Sequence, residues 1–115
     1  MNLLSLEVNS HELMPVFDPN VNQYTIHYTS DENTISVTAL RHKKASWVKR
    51  YSIKYVYLDG TEEYEMVEHG TIPYSALVEY SFNVNKTGID YILFPVIVEY
   101  AGNRQTYTIK AMCDD

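Results

Sequence analysis

The sequence predicts an all-β fold: one antiparallel sandwich of about seven or eight strands. Three observations point there. Apolar residues recur at a period of two along most of the chain, residue pairs that favour turns separate these runs, and no segment keeps an apolar stripe at helical spacing. The chain has 115 residues, a length suited to a single domain over residues 1–115. A domain of this size buries roughly two-thirds of the surface its unfolded chain exposes, enough for a core without disulfides or metal.

The elements follow in order. "LLSLEV" places Leu4, Leu6 and Val8 on one face, "QYTIHY" does so with Tyr24, Ile26 and Tyr28, and "TISVTAL" with Ile35, Val37 and Ala39. "RYSIKYVYL" aligns Tyr51, Ile53, Tyr55 and Tyr57. "LVEYSFNV" aligns Val78, Tyr80, Phe82 and Val84, and the closing "QTYTIKA" aligns Tyr107, Ile109 and Ala111. Asp59-Gly60 predicts a two-residue type I′ hairpin, because that turn needs positive φ. Gly102-Asn103 predicts the same between the last two strands, and Gly70, Pro73 and Gly88 mark further loops. "DYILFPVIVEY" breaks the rule, being apolar on both faces: Ile92, Phe94, Val96 and Val98 on one, Tyr91, Leu93 and Ile97 on the other. Pro95 lacks a ladder donor and predicts a bulge or an edge there. The second apolar face needs a cover, either a loop of this chain or another protein.

Composition sets limits on function. Eleven tyrosines stand against three phenylalanines and one tryptophan, and tyrosine suits half-buried strands and contact surfaces. A net charge of −6 argues against duplex nucleic acid as the partner. The single Cys113 cannot form an internal disulfide. No apolar run approaches the roughly 18 residues of a membrane span, so no membrane insertion is expected. "MNLLSLEVNS" lacks the basic and apolar regions of a signal peptide. The expectation is a product kept inside a cell or a module cut from a larger protein.

"LMPVFDPNVNQYTI", residues 13–26, reads as a corner. Pro15 and Pro19 keep the residues before them extended, while Asp18 and Pro19 suit the first two positions of a turn. Phe17 can plug one end of the core. As a general base or metal ligand Asp18 would need a second polar group, and none is evident. In this stretch the chain resembles a known family. "LLSLEVNSHELMPVFDPNVNQYTIHY…ISVTA" and the closing "AGNRQTYTIKA" resemble the cadherin-like β-sandwich domain of bacterial surface and phage-associated proteins. The likeness covers about residues 3 to 40 and 97 to 111, and residues 41 to 90 depart from it. It implies an immunoglobulin-like, non-catalytic module, and it brings no calcium ligands, since the acidic linker motifs of true cadherins are missing.

Candidate chemistry is sparse. His11, His27, His42 and His69 are scattered with no ligand-like spacing, so no metal or other cofactor is expected. There is no G-x-S-x-G and no glycine-rich phosphate loop. Glu63 and Glu65 share a strand face, as a carboxylate pair of a glycosidase could, but a solvated face explains them as well. The most suggestive stretch is "RHKKASWVKRY", which sets Arg41, Lys43, Lys44, Lys49 and Arg50 around Trp47. It admits three readings: a solvated loop with a buried tryptophan, a protein contact, or a site for glycan or single-stranded nucleic acid. With Tyr91, Leu93 and Ile97, these residues form the candidate partner contact. The expected function is a non-enzymatic structural or adhesion module that meets protein partners. A phage virion, head or tail, is the first expectation, because a particle assembled inside the cell needs no export signal. The alternative is a carbohydrate-binding or adhesive module of a bacterial surface protein, using Trp47 and exposed tyrosines as stacking platforms.

Overall fold

Alternation decides which side of each strand turns inward, and the computed structural model, which describes residues 2–68 and 76–114, follows it through most of the chain. The loop expected around Gly70 and Pro73, and His69, lie outside the described residues. Among the described residues there are nine strands and no helix: β1 (Leu3–Val8), β2 (Gln23–Tyr28), β3 (Thr34–Arg41), β4 (Ser46–Trp47), β5 (Arg50–Tyr57), β6 (Glu62–Glu68), β7 (Leu77–Asn83), β8 (Ile89–Tyr100) and β9 (Asn103–Cys113). One sheet has the order β1-β3-β7 and the other β2-β9-β8-β5-β6, with β4 also paired to β8. The two pack face to face as a sandwich.

The core lies between them. Ile35, Val37 and Ala39 of β3, with Tyr80 and Phe82 of β7, meet Ile26, Ile53, Ile92, Phe94, Val96 and Ile109 from the larger sheet. Phe82 stacks on Phe94 with ring centres 4.6 Å apart, and Tyr51 and Tyr80 meet Phe94 edge-on at 5.7 and 5.9 Å. Such aromatic pairs add about 0.5–1.5 kcal/mol each to the gain from burial.

Four expectations are corrected. In β1 it is Leu3 that is buried, while Leu4 is 53 % exposed. The register steps from Leu3↔Arg41 to Ser5↔Leu40, so Leu4 is the extra residue of a bulge and the alternation restarts after it. Beside Tyr57 the β5–β8 register shifts as well, yet Tyr57 keeps the expected face: half-buried, it packs against the core opposite Ile89, while Val56 is buried on the outer face opposite Tyr91. At Asp59-Gly60 only the glycine has positive φ, at 87°. Gly60 N–H donates to Tyr57 O and Tyr57 N–H to Thr61 O, which makes a three-residue loop of a type I turn closed by a glycine bulge. The last hairpin turns one residue earlier than expected. Ala101 (φ 51°) and Gly102 (φ 82°) are its centre, and Tyr100 pairs with Asn103.

The fourth correction concerns β8, which is no edge strand. β9 flanks it from Tyr91 to Tyr100, while β5 and β4 share its other side. β5 pairs with it as far as Leu93 and β4 begins at Val98, so Pro95 falls in the interval where no ladder donor is called for on that side. Nor is every pair antiparallel. β2 runs parallel to β9, from Gln23 opposite Thr108 to Tyr28 opposite Cys113. The segment after β1 carries the chain from the smaller sheet to the edge of the larger one, where β9 is the neighbour it finds.

Candidate functional site

The corner at 13–26 is held by its own backbone and by two tyrosines. Asp18 O accepts from Val21 N–H at 2.9 Å, and Asp18 Oδ1 accepts from Asn20 N–H at 2.8 Å. The Tyr24 hydroxyl accepts from Asp18 N–H (3.1 Å) and donates to Asp18 O (2.7 Å). Tyr107 accepts from Leu3 N–H at 3.1 Å and donates to Pro19 O at 2.9 Å. Phe17 packs over both, with ring centres 6.0 Å from Tyr24 and 6.3 Å from Tyr107. Asp18 therefore spends its polar atoms on the turn.

The basic stretch is dispersed by the fold. Arg41 ends β3 with only 8 % of its surface exposed, and its Nη1 donates to His42 O (3.2 Å) and Lys43 O (3.3 Å). Its charge braces the following turn, in which Ala45 N–H donates to His42 O. Trp47 is buried on β4, edge-on to Tyr80 at 6.1 Å. Arg41 and Trp47 are thus buried where a contact surface needs them exposed, and Trp47 presents no open ring for a sugar to stack on. Arg50 ion-pairs with Glu68 across β5 and β6 at 2.9 Å. Lys43, Lys44 and Lys49 are exposed and remain as a small basic rim.

The outer face of β8 is a better surface. Tyr91, Leu93 and Ile97 are half-buried there, beside Met112, Lys110 and Thr106 of β9. Lysines give partial cover. The Lys110 ammonium lies 4.3 Å over the Tyr91 ring, while Lys54, next to Leu93, reaches Glu62 at 3.1 Å. That contact raises the Lys54 pKa above its ordinary value, chiefly through the hydrogen bond to Glu62. Tyr64 and Met66 of β6 extend this face, each 62 % exposed and paired across the sheet with Lys54 and Ser52. Reading the sequence missed them. Their spacing of two was visible in "EEYEMVE", but four glutamates in seven residues drew the attention.

The remaining candidates are engaged. Glu63 accepts from Lys86 Nζ and from the Tyr57 hydroxyl, both at 2.8 Å. These bonds, Lys86 first, hold its carboxyl below the usual range, the opposite of what a general acid needs. Lys86 also lies 4.3 Å over the Tyr55 ring. His11 meets Glu32 and His27 meets Asp114, each at 2.7 Å. Among the described residues no three His, Cys, Asp or Glu gather as a metal site, and Cys113 is half-buried at the end of β9. No protein-family model, no curated protein and no solved structure matches the chain.

Proposed function

We propose that the chain is a non-enzymatic structural or adhesion module of a phage particle, in the head or tail, that works by pressing a sheet surface against a protein partner. The observation that carries the docking is the outer face of the larger sheet, where Tyr91, Leu93 and Ile97 lie on one side of Lys54 and Ser52 and the exposed Tyr64 and Met66 on the other. Apolar side chains on a strand face gain free energy when a partner removes them from water. The resemblance of residues 3–40 and 97–111 to the cadherin-like domains of bacterial surface and phage-associated proteins supports a non-catalytic module. Strand order supports the immunoglobulin-like reading. β3 lies between β1 and β7, and β8 lies between β5 and β9, as such sandwiches order their strands.

Two tests bear on this. The genes beside its own decide the particle: capsid, portal or tail genes support it, and export or anchoring genes overturn it. The double variant Tyr64→Lys, Met66→Lys decides the surface. It should melt at the same temperature as the parent and fail to enter particles assembled in its presence. Normal incorporation would show that another face makes the contact.

A further inference from the structure

A second surface stands apart from the outer sheet face and is independent of the reading above. β1 is hydrogen-bonded to β3 along one edge, and no strand among the described residues lies along its other edge. The chain that leaves β1 covers this edge at one point only. His11 N–H donates to the outward Val8 O, leaving the Leu6 N–H and C=O and the Val8 N–H turned away from β3, and the segment then swings over to β2, where Met14 and Thr25 exchange two backbone bonds of 2.9 and 2.7 Å. The edge of β2 is thus guarded, while beyond the His11–Val8 bond no backbone group of the described residues pairs with that of β1 from Ser5 to Val8. Between β1 and residues 10–17 lies a groove of about 680 Å³.

Its lining has a definite chemistry. The half-buried Leu13 and Phe17 supply apolar surface, Val16 stands at the rim 84 % exposed, and Leu6 and Val8 of β1 line the groove with side chains turned into the core. Glu7 and Glu12 also line the groove, both exposed, and neither joins an ion pair among the described residues. No lysine or arginine lines it, and its one histidine, His11, is bonded to Glu32. An open strand edge attracts main-chain donors and acceptors, and a pleated strand sends alternate side chains to opposite sides.

We infer that this groove accepts an extended segment of a partner protein in which apolar side chains alternate with lysine or arginine. Its backbone continues the β1-β3-β7 sheet past Ser5–Asn9, its apolar side chains cover Leu13, Val16 and Phe17, and its cations meet Glu7 and Glu12. A second copy of this chain is a poorer occupant. Its exposed Lys43 and Lys44 sit in a turn closed by Ala45 N–H to His42 O, which cannot be laid along an edge.

The test titrates the ¹⁵N-labelled protein with a peptide alternating valine and lysine, and with its valine–glutamate counterpart. The expected result is movement of the amide signals of Ser5–Asn9 and Glu12–Phe17 with the lysine peptide alone. The double variant Glu7→Lys, Glu12→Lys should keep its melting temperature and lose about tenfold in affinity, the size of two partly exposed charge pairs. Equal binding of the acidic peptide, shifts confined to the glutamates of β6, or no shift at millimolar peptide would each overturn the assignment. So would movement of the same amides with protein concentration alone, which would hand the groove to a second copy.

Discussion

Tyr107 joins three parts of the chain through one hydroxyl: its own strand, the Leu3 N–H at the start of β1 and the Pro19 carbonyl in the corner. The Leu3–Tyr107 bond is buried, so removing the oxygen strands a donor away from water. Tyr107→Phe should cost about 1–3 kcal/mol in unfolding free energy, read from the denaturant midpoint. Tyr24→Phe, whose bonds to Asp18 are partly solvated, should cost less. A change in the other direction is available at Ala101, which holds φ 51° in the final hairpin. Alanine pays for its Cβ in that region, where asparagine is tolerated. Ala101→Asn should raise stability by about 0.5–1 kcal/mol, and a lowered midpoint would contradict the turn described.

At the scale of elements, the first strand gives the cleanest contrast. Leu3 is fully buried and Leu4 is half out in water on account of one bulge. Leu3→Ala should cost about 2–5 kcal/mol, and Leu4→Ala should stay within about 0.5 kcal/mol, both by chemical denaturation. Equal losses would mean that the strand pairs in the unbroken register. Alternation alone points to Leu4, because a period of two carries no mark of an inserted residue. The same limit explains the two hairpins, where pairing across the sheet sets the register and the neighbouring strand cannot be seen from a local run. Where pairing is regular, local pattern suffices: Ile35, Val37 and Ala39, and Val78, Tyr80 and Phe82, all turn inward as their spacing implies. The candidate contact was half legible. β8 declares its second apolar face in its own letters, whereas the burial of Arg41 and Trp47 depends on packing across the two sheets.

For the molecule as a whole, the many tyrosines tie stability to alkaline pH. Burial pushes Tyr51 up to about 12, with Glu65 adding to the effect, and burial also raises Tyr28, Tyr55, Tyr80 and Tyr107. The unfolded chain gives up these phenolic protons near pH 10 and the folded chain keeps them longer. The stability that comes from holding them neutral is therefore complete below about pH 10 and drains away as pH rises through the folded values. Unfolding should become steeply easier between about pH 10 and 12, followed by circular dichroism. Phenolate absorbance from the core should appear together with loss of tertiary signal, and its appearance in a still-folded protein would contradict the burial of these rings.

The parallel pairing of β2 with β9 joins residues 23–28 to residues 108–113. Until residues 108–113 have been made, β2 has no neighbour to zip against and the larger layer lacks its outer strand. Pairing between stretches so far apart in sequence predicts slower folding than in chains whose contacts are mostly local.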